Sequence, residues 1–495
     1  RKNIKRAKSF GFNYVRFHST IPDDLFFKVA YEEGMLVHIE MRSPHDIYNN
    51  LEEMIETRNG FIDENFIINT INRLFNHPSF AVYCLGNEIK NLKSTTIVQE
   101  IATEIKLLDP TRLFVDTCAW GENNRPFIDI DIQHLSYYFP FGRHSGMYDD
   151  VSILKVGDFN KDKDIVFNVP LLAHEVCHYT ALRDFETLGQ KFDEHHISRP
   201  WWINEELKMI EAKGYKNIYQ DMYHASKEFQ LSCWKVAFEE MRSSKLLGGF
   251  HFLQFADTDL YENSNGIVDC FDDINYVTPD RFLQFNGDIV LIIKNNKYNY
   301  YCNHNIKLPI YISRLDESLF DIATLKYQII SKSFEVTKQI DDVDISKHDY
   351  YQICDIDFDI PSINELEEAT IKIELINNQQ IISKNEYQIW IYPEQKKFTY
   401  NEFIAYKDDY VVVTNNLENA IELLKQNKNV ILSYRSDYTR HLLHKNMAAP
   451  KLSFKATWNR HKPVIWDRGT NFGGLIDNKL NKYGFNKYYN HNFCS

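Results

Sequence analysis

The stretch Asn76-His77-Pro78-Ser79-Phe80-Ala81-Val82-Tyr83-Cys84-Leu85-Gly86-Asn87-Glu88 is an apolar run that follows turn residues and ends in an Asn-Glu pair. Apolar residues without alternation are typical of a strand buried on both faces, which indicates a parallel sheet. In a (β/α) barrel the carboxyl ends of the strands carry the chemistry, so Glu88 would lie where an active site is built. A carboxylate held there can act as a general acid, with Asn87 binding substrate. The alternative is that Glu88 only caps the helix that follows.

Helices and strands alternate over residues 1–285. Predicted helices cover residues 2–10, 25–33, 64–75 and 96–108. Besides the Glu88 strand, the strand candidates are residues 14–17, 35–39, 113–117, 130–138, 169–175 and 247–255. This alternation predicts a (β/α)8 TIM barrel, which needs eight strands. Because the chain opens on a helix at Arg1, we expect the first strand to lie upstream, and a missing N-terminal segment or another chain to complete the barrel.

The character of the sequence changes after residue 285. Short alternating strands with Asn-rich turns predict an immunoglobulin-like β-sandwich over residues 286–395. Residues 396–495 return to an α/β pattern, with strands at 410–414 and 430–433 around a helix at 417–426. We interpret this last part as an accessory domain and assign it no cofactor, because it lacks a Gly-rich phosphate loop.

Composition excludes several classes of partner. The net charge is −13 and no basic tract occurs, so neither nucleic acid nor an anionic membrane is expected as a partner. No segment approaches the roughly 20 apolar residues of a membrane span. The eight cysteines are scattered, which favours reduced, buried thiols over a disulfide framework or a zinc knot. A homo-oligomer and a periplasmic or secreted location are compatible with the sequence, as is a cytosolic one.

A second carboxylate, Glu175, also ends an apolar strand. It follows Glu88 by close to three βα units of about 30 residues each, which places Glu88 on strand 4 and Glu175 on strand 7 if the missing strand is counted first. Two carboxylates facing each other across a barrel mouth at about 5–5.5 Å would be the acid/base and the nucleophile of a retaining glycosidase.

Several segments resemble glycoside hydrolase family 2, which includes β-galactosidases, β-glucuronidases and β-mannosidases. Residues 11–19 and 33–37 are similar to its strands 2 and 3. Asn76-His77-Pro78-Ser79 with Leu85-Gly86-Asn87-Glu88 resembles its acid/base motif. His174-Glu175-Val176 resembles the nucleophile strand of one branch of the family. Residues 249–253 and 266–269 are similar to the strand 8 segment of the same branch.

The resemblance implies site residues. Glu88 would be the acid/base, Glu175 the nucleophile, and Asn87 the partner of the sugar 2-hydroxyl, although Asn87 could instead only fix the strand–helix turn. Arg16 would steady the nucleophile or form a structural ion pair. Five further residues at strand tips either line the sugar site or close the barrel mouth: His18, Glu40, Trp120, Tyr137 and Asp257. Tyr137 is the best of these candidates, because a phenol near the nucleophile can orient it.

The chain departs from the family pattern in three places. The first barrel strand and the usual N-terminal sugar-binding sandwich are absent. Cys177 and His178 follow the nucleophile where small or amide residues are expected, and the strand 8 tip has Gln254 and Ala256 where that branch tends to carry an Asp and a Gln. These departures leave the identity of the sugar open.

Two other functions compete with this hypothesis. His174-Glu175-Val176-Cys177-His178 is a literal H-E-x-x-H, the zinc-protease motif, with third-ligand candidates at Glu194, His195 and His196. That chemistry needs a helix, whereas this segment has the pattern of a strand. A degenerate barrel serving as a carbohydrate-binding scaffold is the other alternative, and the presence of both glutamates argues against it. The sequence therefore predicts a retaining, exo-acting β-glycoside hydrolase that needs no metal and no cofactor, with a carbohydrate as its substrate.

Overall fold

The computed structural model describes residues 1–42, 64–89, 95–119, 121, 125–134, 169–260, 264–295, 297–316, 320–394, 410–414 and 417–433. Trp120 and Tyr137 lie outside these residues, as does the predicted continuation of a strand to residue 138. Most of the predicted C-terminal domain also lies outside the described part of the chain.

Parallel strands and helices alternate in the first part of the chain. The strands are β1 (Tyr14–Phe17), β2 (Leu36–Arg42), β3 (Phe80–Asn87), β4 (Leu113–Cys118), β5 (Asp131–Gln133), β6 (Leu171–Val176) and β7 (Leu247–Phe252). The helices are α1 (Lys2–Ser9), α2 (Asp24–Glu33), α3 (Glu64–Leu74), α4 (Thr95–Leu108), α5 (Phe185–Glu194), α6 (Trp201–Ala212), α7 (Tyr219–Arg242) and α8 (Pro279–Asn286). The predicted alternation is confirmed, and α5 to α8 add helices that the sequence analysis did not name.

The strands pair in chain order as two parallel sheets. One sheet has the order β1-β2-β3-β4 and the other β5-β6-β7. Backbone hydrogen bonds connect the two, since the amide of Ala119 donates to the carbonyl of Ile132 at 2.9 Å and that of Asp129 donates to Phe114 at 2.9 Å. Because all seven strands run in the same direction, their carboxyl ends share one side of the molecule.

Local chemistry sets the ends of these elements. The Asp23 side chain accepts a hydrogen bond from the amide of Phe26 at 3.0 Å and so caps the start of α2. At the other end Gly34 adopts a left-handed conformation, with φ of 69°, which a glycine tolerates without steric cost. The sequence predicts both features, because Asp23 and Asp24 can cap a helix at residues 25–33 and Gly34 can close it.

A two-layered β structure follows. Its strands are β8 (Ile289–Ile293), β9 (Asn299–Tyr301), β10 (Asn305–Arg314), β11 (Ile322–Ile330), β12 (Glu335–Asp344), β13 (Tyr350–Asp359), β14 (Glu367–Asn377) and β15 (Gln380–Tyr392). One sheet has the order β13-β10-β8 and the other β12-β11-β14-β15-β9. Buried residues of both sheets share one core, which includes Ile310 and Ile373. The sequence pattern predicts strands at residues 289–293, 308–312, 325–330, 350–358, 369–375 and 387–392, and it misses β9 and β12.

Beyond residue 409 the structure describes a smaller α/β unit. Strands β16 (Tyr410–Thr414) and β17 (Asn429–Ser433) pair in parallel, and helix α9 (Leu417–Lys425) connects them. This arrangement agrees with the predicted unit. Within the described residues, no helix combines the length and the apolar character that crossing a membrane requires.

Candidate active site

Both predicted glutamates lie at carboxyl ends of parallel strands. Glu88 directly follows β3, and Glu175 is the penultimate residue of β6. Their backbones are in the left-handed region, with φ of 49° at Glu88 and 47° at Glu175. A non-glycine residue rarely adopts this conformation, and such strain is concentrated at functional sites.

Other strand ends on the same side share this unusual backbone. Positive φ values occur at Ser19 after β1 (55°), Ala119 after β4 (64°) and Cys177 after β6 (65°). The strained residues of the parallel sheets therefore mark the side on which Glu88 and Glu175 lie.

The two glutamates are close to each other. One carboxylate oxygen of Glu88, one of Glu175 and a ring nitrogen from each of His134 and His174 all lie within 4.8 Å of one another. The Glu88 side chain is 24% exposed and that of Glu175 is 11% exposed. The pair is therefore largely enclosed and reachable from outside mainly through Glu88.

Different partners hold the two carboxylates. His134, at the end of β5, is buried and places its Nε2 atom 2.5 Å from Oε1 of Glu88. Arg16, on β1, places its Nη1 atom 3.3 Å from Oε1 of Glu175. Glu175 thus has a fixed positive charge beside it, which stabilises an ionised carboxylate, whereas Glu88 contacts an imidazole.

Arg16 connects three strand tips through one guanidinium. Its Nε donates to Oε1 of Glu40 at 2.6 Å, and its Nη2 donates to Oδ1 of Asn87 at 2.5 Å. Burial disfavours its charge, yet the carboxylates of Glu40 and Glu175 keep the pKa of Arg16 above its ordinary value. Arg16 is therefore a permanent cation under the two glutamates.

The hydrogen bonds of Asn87 define its orientation. Arg16 can only donate, so the atom facing it must be the acceptor Oδ1. His174 contacts the same oxygen through Nε2 at 3.2 Å, which requires a proton on that nitrogen. No described side chain accepts from Nδ2 of Asn87, so this amide nitrogen can donate to a substrate.

Two buried histidines, His174 and His251, contact each other deeper in the structure. With its proton on Nε2, His174 accepts at Nδ1, where the Nδ1 atom of His251 lies at 3.4 Å. His251 stacks on Tyr14 with the ring centres 5.5 Å apart. Burial lowers the pKa of His38, His174 and His251 well below the ordinary value, so all three rings are neutral.

The remaining predicted site residues lie in different places. Glu40 is fully buried. Its Oε1 accepts from Arg16, and its Oε2 accepts from the amide of Ser19 at 2.7 Å. His18 is exposed, and its Nδ1 lies 2.8 Å from the Ser19 hydroxyl. Trp120 and Tyr137 fall outside the described residues.

Asp257 belongs to a separate polar network. Its carboxylate is buried and accepts from the Ser264 hydroxyl at 2.7 Å and from the amides of Asn265 and Gly266 at 2.9 and 2.6 Å. Among the described contacts, none joins Asp257 to Glu88 or Glu175.

The H-E-x-x-H motif does not lie on a helix. His174 and Glu175 belong to β6, and His178 lies in the irregular segment that follows. Because the zinc-protease arrangement needs both histidines on one helical face, this geometry is wrong for that alternative. Glu194, His195 and His196 are exposed at the end of α5.

Among the residues that the structure describes, three groups of side chains, all buried except for Glu88, could hold a metal ion. They are Glu88, His134, His174 and Glu175; Cys118, His174 and His251; and His38, Glu40, Cys84 and Cys118. In each group the donor atoms lie within 4.8 Å of one another. The sequence analysis did not select His38, His134 or His251. A polar residue inside an otherwise apolar strand, as in Leu36-Val37-His38-Ile39, was the feature that could have indicated His38.

Comparison with known proteins gives a family for one segment only. Residues 305–393, which span β10 to β15, match a family described as a domain of unknown function, DUF8488. The sequence matches no curated protein.

Solved structures resemble a larger part of the chain. A complex of exo-chitosanase CsxA from Amycolatopsis orientalis with PNP-β-D-glucosamine is 13% identical, with a TM-score of 0.50, covering 78% of this chain and 46% of that one. A β-glucuronidase from Parabacteroides merdae is 12% identical, with a TM-score of 0.37 and coverages of 80% and 46%. A β-glucuronidase from glycoside hydrolase family 2 is 14% identical, with a TM-score of 0.36 and coverages of 78% and 34%.

The chain spans less than half the length of these three structures. At such identities the likeness to the exo-chitosanase shows the fold alone. It agrees with an α/β part that is followed by β-sheets.

Proposed function

We propose that this chain carries the catalytic site of a retaining, exo-acting β-glycoside hydrolase, which removes a terminal sugar from an oligosaccharide, a polysaccharide or a glycoconjugate. One observation carries the proposal: Glu88 and Glu175 lie on two strand tips, with carboxylate oxygens within 4.8 Å of each other. Retaining enzymes place their carboxyl groups about 5–5.5 Å apart, and inverting enzymes about 6.5–9.5 Å apart. The short separation supports a double displacement.

The environments of the carboxylates support their separate roles. Glu175 lies beside the Arg16 cation, which favours the ionised form that attacks the anomeric carbon. Glu88 contacts His134 and is the more exposed of the two, which suits a group that protonates the leaving oxygen and then activates water. The contact with Arg16 therefore fits Glu175 as the nucleophile, and the contact with His134 fits Glu88 as the acid/base.

Asn87 would bind the sugar next to the cleaved bond. Its Oδ1 is held by Arg16 and His174, so its Nδ2 remains to donate to the 2-hydroxyl. Hydrogen bonds to this hydroxyl strengthen in the transition state of glycoside hydrolysis. Glu40 would act through Arg16, and Trp120 and Tyr137 stay candidates for the walls of the sugar site.

The proposed architecture has three parts. Residues 1–285 would be a TIM barrel, residues 286–395 an immunoglobulin-like sandwich, and residues 396–495 an accessory domain. The chain-order pairing of parallel strands, four in one sheet and three in the next, supports the barrel. The core shared by two largely antiparallel sheets supports the sandwich.

The first experiment is hydrolysis of aryl β-glycosides of galactose, glucuronic acid, mannose, glucose and glucosamine by the wild type and by Glu88→Gln and Glu175→Gln. The Glu175 variant should lose activity on the order of 10⁶-fold, as expected for a covalent nucleophile. The Glu88 variant should lose about 10²–10⁴-fold on poor leaving groups and far less on good ones, which need no protonation. Glu186→Gln, on the exposed side of α5, is the matched control and should retain full activity.

A second measurement tests the covalent step directly. A slow 2-fluoro glycoside of the cleaved sugar should leave an ester on Glu175, found by peptide mass spectrometry. Turnover without any such adduct would contradict the double displacement. Absence of turnover on every sugar would contradict the hydrolase and favour a binding module.

A further inference from the structure

A second polar cluster lies beneath the strand tips. It consists of His38 and Glu40 on β2, Cys84 on β3 and Cys118 at the end of β4, all of them fully buried. One donor atom from each lies within 4.8 Å of the others. We propose that these four residues form a zinc site. It shares Glu40 with the Arg16 contact of the proposed active site, but the binding of zinc does not depend on hydrolysis.

The spacing of the donor atoms supports a tetrahedral ion. Sγ of Cys84 and Sγ of Cys118 are 3.8 Å apart, and Sγ of Cys118 is 3.6 Å from Nε2 of His38. With Zn–S bonds of about 2.3 Å and Zn–N bonds of about 2.0–2.1 Å, a tetrahedral site has S···S edges of about 3.8 Å and S···N edges of about 3.6 Å. These two edges already have the lengths that zinc requires.

His38 is oriented for ligation. Its Nδ1 lies 2.6 Å from the hydroxyl of Tyr14, which leaves Nε2 directed at the thiol of Cys118. A ligating histidine almost always uses its other ring nitrogen in such a hydrogen bond, which fixes both the tautomer and the ring orientation. Tyr14 therefore supplies the outer contact of the site.

The charge of the buried cluster would not change on binding. Zinc enters with two positive charges, and the thiols of Cys84 and Cys118 each release one proton to solvent as they become thiolates. Glu40 completes the set with a carboxylate oxygen, and its charge is already balanced by Arg16. No uncompensated charge is buried, which is the main cost of placing an ion in a protein core.

A competing set of donors shares one residue with this site. Cys118, His174 and His251 also have donor atoms within 4.8 Å of one another. That set offers three ligands, and the Nε2 atom of His174 is already hydrogen-bonded to Asn87. Since both sets need Cys118, one ion excludes the other, and the four-donor set offers zinc the complete tetrahedral shell of a structural site.

X-ray absorption of the wild-type protein, loaded with Zn²⁺ and freed of excess metal, tests the proposal without any variant. We expect one ion per chain with two sulfur neighbours at about 2.3 Å and lighter neighbours at about 2.0–2.2 Å. A single sulfur with two nitrogens would assign the ion to the competing set and overturn the proposal. A shell without sulfur, or no retained zinc, would overturn it as well.

Co²⁺ titration identifies the ligands, because thiolate–cobalt bonds absorb in the near ultraviolet. Cys84→Ser should weaken binding by at least about 100-fold and halve the thiolate band. Cys233→Ser removes a buried thiol of α7 outside the cluster and is the matched control. His251→Gln should bind as tightly as the wild type, and weakened binding in that variant with unchanged binding in Cys84→Ser would contradict the assignment. Binding is measured without substrate, so its outcome is independent of glycoside turnover.

Discussion

Replacing Arg16 with methionine tests two contributions of this residue, one to the stability of the protein and one to its activity. Arg16 is 8% exposed and Glu40 is fully buried, and their closest contacts are 2.5 and 2.6 Å. The methionine side chain keeps most of the apolar stem but removes the cation, so in zinc-free protein the buried carboxylate of Glu40 retains only the amide of Ser19. Breaking a buried pair by removing one partner costs about 3–5 kcal/mol. For a domain of about 200 residues this lowers Tm by roughly 6–20 °C, which differential scanning calorimetry measures.

The same change should lower kcat/KM. Glu175 loses a charge-assisted contact at 3.3 Å and Asn87 loses one at 2.5 Å. A hydrogen bond to a charged group contributes about 1.5–3 kcal/mol, which corresponds to about a 10- to 150-fold loss for one contact. The assay is hydrolysis of the aryl β-glycoside that the wild type cleaves fastest.

The double variant Arg16→Met/Glu40→Gln decides whether this reasoning is correct. Removing both charges leaves no unpaired carboxylate, so most of the lost stability should return, while kcat/KM stays low. If the stability losses of the two single variants instead add up in the double variant, Arg16 and Glu40 are not energetically coupled. If Arg16→Met loses less than about 1 kcal/mol, the buried carboxylate has another counter-charge and the assignment is wrong.

Two further substitutions test the structure that surrounds the site. Burial opposes the charge on Asp257, but Arg183 and Lys227 keep its pKa below the ordinary value. A carboxylate with a depressed folded pKa stabilises the protein above its unfolded pKa of about 3.9 and loses this contribution as the pH falls through the folded pKa. Below about pH 4 the Tm of the wild type should therefore fall more steeply with decreasing pH than the Tm of Asp257→Asn. Parallel curves of Tm against pH would refute this. Arg125 donates to Asp116 and Asp131 at 2.6 Å and joins β4 to β5. Arg125→Met should cost about 3–5 kcal/mol and speed hydrogen exchange at Ala119, whereas unchanged exchange there would show that the backbone bonds alone hold the two sheets together.

The sequence predicts those elements whose pattern is local. Strand β3 is an uninterrupted apolar run, and α2 has its cap at Asp23 and its end at Gly34, so both appear where they were expected. Strand β12 (Glu335–Asp344) was missed because its side chains are mostly exposed and show no apolar alternation. It is a strand because β11 pairs with it at the edge of the sheet, and such pairing depends on the tertiary structure rather than on local sequence.

The candidate site was predictable to the same limited extent. Glu88 and Glu175 could be selected because each ends an apolar strand, and strand ends of parallel sheets meet on one side. The contact of His134 with Glu88 could not be inferred, because it depends on how β5 lies beside β4 across two sheets. The burial of His38 and His251 likewise depends on which strand faces point inward, and a parallel strand that is apolar on both faces does not reveal this.

The left-handed backbone at Glu88 and Glu175 has a consequence for how this protein could change over time. Each such residue costs of order 1–3 kcal/mol in strain, and glycine or asparagine in the same place would relieve much of it. Selection for thermostability alone should therefore accumulate replacements of these two glutamates, and the most heat-resistant variants would be inactive. Retaining both glutamates against this pressure requires continued selection, which the hydrolysis proposed for them would supply.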